Sequence, residues 1–136
     1  MIQTLTLSAS LLEEMITYVD HYLPLEACGV LAGKQARAEK MIGVLNQAQS
    51  PVRFVMDPYE QLHAFDWIES NGLDLVGIFH SHPDCDAYFS KTDLQNSCPW
   101  YSFVVLSIKK GDFDHANSFL PDADQTRADK ENLVHP

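Results

Sequence analysis

The sequence predicts one α/β domain, a three-layer α/β/α sandwich around a mixed, curved β-sheet. Three observations carry that expectation. The 136 residues match the commonest size of a single folded unit, so residues 1–136 are read as one domain. Segments with the two-residue alternation of strands are separated by segments with the 3.6-residue spacing of helices, which places helices between strands. Two segments, LDLVGIF (73–79) and YSFVVLSIK (101–109), are almost wholly apolar, the pattern of strands covered on both faces.

IQTLTL (2–7) alternates apolar and polar residues and predicts a short first strand. In SASLLEEMITYVDHYLP, Ser10 and Glu13 have the spacing of a capping box, and Leu11, Leu12, Met15, Ile16 and Val19 share one helical face. Pro24 stops that helix. ACGVLAGK (27–34) is a small-residue strand whose glycines allow close approach of other groups, and a partner strand is expected near 39–45. Asp57, Pro58 and Glu60 mark a second helix start. Its expected buried stripe is Tyr59, Leu62, Phe65 and Ile68, and Asn71-Gly72 ends it. The strand 73–79 then leads directly to His80. SKTDLQNS (90–97) predicts a short helix, followed by strand 101–109. The tail divides into a strand near His115–Leu120, an Asp-rich turn and a last strand near Leu133.

With 46% hydrophobic and 21% charged residues, the composition is that of an ordinary globular domain. A net charge of −10 argues against nucleic acid, whose partners carry a basic face, and gives no reason to expect an anionic membrane. No stretch nears the roughly 20 apolar residues of a membrane span, and the N-terminus lacks a basic n-region and apolar core. The chain is read as cytoplasmic. Cys28, Cys85 and Cys98 form an odd set without CxxC spacing, so free thiols are expected. The oligomeric state, a homodimer included, is left open.

The informative stretch is HSHPDCDAYFSKTD, His80 to Asp93. Residues i and i+2 of a strand point to one side, so His80 and His82 can aim both rings at one point. Asp93, in the first turn of the next helix, can add a carboxylate. Three such ligands leave the fourth position of a zinc ion to water, the pattern of catalytic rather than structural zinc. An isolated HxH is nonetheless a weak signal, and Ser90-x-x-Asp93 is equally a capping box with a structural purpose. The two readings of Ser90 and Asp93 are compatible, since a capped helix start is a stiff mount for a ligand.

The spacing H-S-H-P-x6-S-x2-D, joined to Glu26 in LPLEACGVLAG, to Asn46 and to RFVMDP (53–58), resembles the JAMM (MPN-type) zinc metalloprotease family, over about residues 20–110. Five polar positions in two separated segments agree with that family. The resemblance implies a cytidine deaminase-like version of the sandwich and one Zn2+ held by His80, His82 and Asp93. It implies Glu26 as general acid/base, Ser90 as the hydroxyl that steadies the reacting oxygen, and Ser81 as the small residue between the ligands. Phe89 departs from the proline that many simple members carry before the serine. The implied reaction is hydrolysis of a peptide or isopeptide bond at the C-terminal tail of a ubiquitin-fold or sulfur-carrier protein.

Other readings were open. His80-Ser81-His82-Pro83-Asp84 also fits the HxHxD of metallo-β-lactamase-like hydrolases, though Cys85 stands where such sites usually continue with histidine. A zinc nucleobase deaminase would show HxE and PCxxC, which are absent. A catalytically silent binding or scaffold module of the same family would retain the fold and lose turnover. Cys28, among small and apolar neighbours, is read as a buried structural thiol. Cys85 is read as a loop residue beside the ligands, and His21, His63, His115 and His135 as incidental. Trp67 and Trp100 are expected as core or rim aromatics.

Overall fold

The computed structural model describes residues 3–136; Ile2, the first residue of the expected first strand, lies outside them. In chain order the elements are β1 (Thr4–Leu7), α1 (Leu11–His21), β2 (Cys28–Lys34), β3 (Arg37–Val44), α2 (Pro58–Ser70), β4 (Asp74–Pro83), α3 (Lys91–Gln95), β5 (Ser102–Lys109), β6 (Asp112–Pro121) and β7 (Ala128–Val134).

The strands run β1-β3-β2-β4-β5-β6-β7 and close into a barrel. β1 closes it, pairing in parallel with β3 on one side and β7 on the other. The expected cytidine deaminase-like three-layer sandwich is therefore not formed. A sandwich keeps two free sheet edges and needs helices over both faces. Here the tail supplies two antiparallel strands, β6 and β7, which extend the sheet until its last edge meets β1. Closure satisfies the edge N–H and C=O groups without a covering layer. The mixed character of the sheet is as expected, with β4 and β5 parallel and β2 antiparallel to β4.

The two faces of the sheet differ. One carries Leu5, Leu7, Leu31, Phe79, Val104 and Leu106 against Leu11, Met15 and Val19 of α1. The other carries Val30, Ile78 and Phe103 against Ala64 and Ile68 of α2. The first face has small-residue contacts that tolerate no side chain: a Cβ on Gly29 would come within 2.6 Å of the Phe79 ring.

Local sequence signals were realised unevenly. Asp57 caps α2 as expected, its carboxylate accepting the Glu60 N–H at 3.0 Å, and Gly72 with φ +67 follows the end of the helix. The buried stripe of α2 is rotated, however. Ala64 and Ile68 face the sheet, whereas Tyr59 and Leu62 are exposed, because the helix approaches through its small residue. Ser10 adopts a left-handed conformation (φ 70) and its side chain caps nothing, so the expected Ser10–Glu13 box is absent; the Leu11 N–H bonds the Ser8 carbonyl instead. β4 continues past Phe79 to Pro83, so both histidines of the motif belong to the strand itself. Among the described residues, no helix is long and apolar enough to cross a membrane.

Candidate metal centre

The end of β4 has a donor on every second residue. Ile78, His80 and His82 point to one side, and Phe79 and Ser81 to the other. Ser81 is fully buried and accepts the Ala27 N–H at 2.9 Å, while its own N–H bonds the Ala27 carbonyl. This pair stitches the end of β4 to the chain just before β2. Cys28 opposes His80 in the antiparallel register, and two further residues along that register bring Glu26 opposite His82. The 56-residue separation of Glu26 and His82 is thus spanned by one strand pairing.

The third donor arrives on α3. Ser90 and Asp93 form a complete capping box: Ser90 Oγ accepts the Asp93 N–H at 2.9 Å, and Asp93 Oδ2 accepts the Ser90 N–H at 3.0 Å. The same Asp93 Oδ2 lies 3.2 Å from His80 Nε2 and 3.4 Å from His82 Nε2, and the two Nε2 atoms are 3.2 Å apart. Four ligands about 2.0–2.1 Å from a tetrahedral ion stand roughly 3.3 Å from one another. The triangle of three donors has that edge length, so the residues present fit a divalent ion. His80, His82 and Asp93 are also the one cluster of this kind among the described residues. Asp84, the acid of the alternative HxHxD reading, and Cys85 do not join it.

The surroundings prepare the donors. His82 Nδ1 bonds the Asp86 carbonyl at 2.8 Å. A carbonyl only accepts, so the proton sits on Nδ1 and Nε2 presents its lone pair to the centre. His80 is wholly buried and stacks on Phe54 with 4.6 Å between ring centroids. Burial pushes its pKa down despite the neighbouring carboxylate, keeping it in the neutral form that binds metals. For His82, burial acts downward but the Asp93 and Asp86 contacts outweigh it and raise the pKa. Burial would raise Asp93, yet hydrogen bonds from His80, His82 and the Ser90 amide hold it well below the usual carboxylate range.

Glu26 behaves in the opposite way. It is 5% exposed, and burial, offset in part by His82, pushes its pKa up to about 7. Its Oε1 and His80 Nδ1 are the buried side-chain polar atoms without a hydrogen-bond partner among the described residues. A water held at this centre would provide what Glu26 Oε1 lacks, whereas His80 Nδ1 lies on the ring edge away from the Nε2 that meets the other donors.

The sequence-predicted residues are therefore brought together: Glu26, His80, His82, Ser90 and Asp93. Asn46 proved more important than its place in a motif suggested. It is buried, donates from Nδ2 to the carbonyls of Glu26 and Arg53, and accepts the amides of Ala48 and Val55 on Oδ1. It thereby fixes the main chain at Glu26 and at Phe54. Cys28 is a buried thiol pushed up to about 12 by burial and bonded to the Val44 carbonyl, as its apolar neighbours suggested. Trp100 is a rim residue, 81% exposed at the mouth of a cleft of about 370 Å³ that reaches His80 and Asp93 between Arg53–Met56 and α3.

The family model described as prokaryotic homologs of the JAB domain (Prok-JAB) matches residues 8–119. The chain belongs to the Prok-JAB family. Among its relatives, a desampylase of Pyrococcus furiosus is 40% identical over 88 residues, 65% of this chain and 63% of that protein. A CysO-cysteine peptidase of Mycobacterium tuberculosis is 35% identical over 111 residues, 79% of this chain and 76% of that protein. The chain thus spans less than two thirds of the desampylase. A solution structure of a Desulfitobacterium hafniense protein superposes with a TM-score of 0.84 at 33% identity, covering 98% of this Prok-JAB chain and 93% of the other. A JAB1/MPN domain protein from Archaeoglobus fulgidus shares the fold, with a TM-score of 0.61 at 17% identity over 96% of this chain and all of the other. The closed barrel is thus the JAB/MPN architecture.

Proposed function

We propose that this chain is a zinc-dependent hydrolase, binding one ion, that cleaves a peptide or isopeptide bond at the C-terminal tail of a ubiquitin-fold or sulfur-carrier protein. One observation carries the reading: three metal donors at tetrahedral spacing stand beside a buried carboxylate with an unpartnered oxygen and a pKa near 7. His80, His82 and Asp93 are the ligands. Zinc bound there supplies Lewis acidity and lowers the pKa of a coordinated water from 15.7 to about 7.

The remaining steps belong to the protein's own groups. Glu26 takes a proton from the attacking water and returns it to the leaving amine, a task suited to an acid whose pKa lies close to neutral pH. Ser90 Oγ receives the Asp93 N–H and keeps its own proton to donate to the developing oxyanion. Burial of both histidines and Asp93 keeps bulk water from competing for these contacts.

The substrate class draws support from the names of the relatives, a desampylase and a CysO-cysteine peptidase, and from the cleft. A narrow, partly apolar channel of about 370 Å³ takes a few residues of extended chain rather than a folded surface. The whole unit, residues 1–136, acts as a single domain in this reading. Incubating the protein with a ubiquitin-fold carrier bearing a C-terminal extension, with and without chelator, and weighing the products tests it. Cleavage after the terminal glycine that chelator stops is expected. A wild type as inert as Glu26→Ala and His82→Ala would instead mark the chain as a binding module.

A further inference from the structure

The imidazole of His82 is oriented by the Asp86 carbonyl, which belongs to an exposed-looking loop between β4 and α3. That loop needs its own support, because a carbonyl that wanders cannot select a tautomer. The support comes from β5 and β6. Ser107 opposes His115, and Val105 opposes Asn117, so these four side chains lie on one face of the sheet. β4 is the parallel neighbour of β5, with His82 beside Ser107 and His80 beside Val105, so it is also the face that carries the two histidines.

Each polar member of this group bonds the loop backbone. Ser107 Oγ donates to the Cys85 carbonyl, His115 Nε2 accepts the Ala87 N–H at 3.0 Å, and Asn117 Nδ2 donates to the Ala87 carbonyl at 2.9 Å. The three bonds bracket Asp86 on both sides. The apolar part of the same patch packs Ala87, 1% exposed, against Val105 and Phe119. An amide N–H only donates, so His115 Nε2 must be unprotonated, and its Nδ1–H reaches Asp114 at 2.6 Å. Lys109 joins the Asp86 and Asp114 carboxylates above the loop.

We propose that His115, assisted by Ser107 and Asn117, is a positioning residue for the metal ligand His82, holding the loop main chain so that the Asp86 carbonyl selects the His82 tautomer that presents Nε2. The inference rests on the metal-site reading above and adds a residue 33 positions beyond the ligand it serves. Outer partners of ligating histidines typically change metal affinity by 10–100-fold. His115 acts one bond further out, so an effect of about tenfold is expected.

The test compares the full chain with His115→Gln, His115→Leu and Ser107→Ala. Zinc affinity is measured by competition with a chromophoric chelator, His82 ring tautomers by nitrogen-15 NMR on the metal-free protein, and folding by thermal unfolding. Leucine fills the space without an acceptor; glutamine restores an acceptor oxygen. His115→Leu is expected to weaken zinc about tenfold and to lose the single Nδ1–H tautomer of His82, while His115→Gln stays within about threefold. Equal affinity and an unchanged tautomer in His115→Leu overturn the proposal, as does a His115→Gln variant as weak as the leucine one. If His115→Leu does not fold, Ser107→Ala and Asn117→Ala decide in its place. A wild type that binds no zinc overturns the metal-site reading, whereas the metal-free tautomer still judges the role of His115.

Discussion

Glu26 and Asp93 are buried carboxylates at the same centre, and their surroundings drive them apart. Asp93 receives a backbone N–H from Ser90 and meets two imidazoles, so it stays ionised. Glu26 has no partner on Oε1, and burial raises its pKa to about 7. A carboxylate that never gives up its charge suits a ligand. One that gains and loses a proton near neutrality suits a proton carrier. Diverging environments of paired acids are how such roles are divided in general. The contrast distinguishes two residues that composition alone treats as equivalent, and it is the basis for their separate roles in the proposed reaction.

Breaking the Asp93 side has the largest effect. Asp93→Ala should drop cleavage to the level of the chelated protein and release zinc during dialysis, measured by elemental analysis. Glu26→Gln should lower kcat by about 10²–10⁴-fold while zinc content stays that of wild type. Ser90→Ala removes the hydroxyl that caps α3 and that the proposed reaction uses as an oxyanion donor, and should cost about 10²-fold in kcat, with about 1 kcal/mol of stability from the lost cap.

The contrast also has a pH signature. Because folding raises the Glu26 pKa from 4.5 to about 7, the folded state favours the protonated acid. Stability from this group is present at low pH and falls as pH rises from about 4.5 through 7. Glu26→Gln should therefore stabilise the metal-free protein by about 3 kcal/mol at pH 8 and by little at pH 5, as read from urea unfolding. Asp93, whose folded pKa is depressed, has the opposite sign, and its contribution disappears only in acid. The smallest effect sharpens the comparison from outside the centre. Ser10 has the same S-x-x-acid spacing as Ser90 but sits at φ 70 with no cap, so Ser10→Gly should raise stability by about 0.5 kcal/mol, whereas Ser90→Gly lowers it.

These serines also mark the limit of what the sequence makes legible. S-x-x-[DE] occurs at both helix starts, and only the extended backbone of Ser90 (φ −73, ψ 164) turns the pattern into a box. The convergence of His80, His82 and Asp93 was readable because two-residue spacing on a strand and a capped helix start are local geometry. Glu26 was readable only through a resemblance, since nothing in its neighbours announces a pairing with β4. Barrel closure escaped because it depends on β7 meeting β1, a contact between the two ends of the described chain that no periodicity encodes. The rotated face of α2 followed from Ala64, whose small size lets the helix approach where larger Tyr59 and Leu62 would hold it off. His115 looked incidental because its partner is a backbone amide, and side-chain spacing is blind to such a partner.

His80, His82 and Asp93 lie within fourteen residues, whereas Glu26 joins them only after a loop of more than fifty has closed. Short loops close at small entropic cost and quickly; long ones close late. The three donors therefore meet at a smaller entropic cost than Glu26, whose place depends on the long-range pairing of β2 with β4.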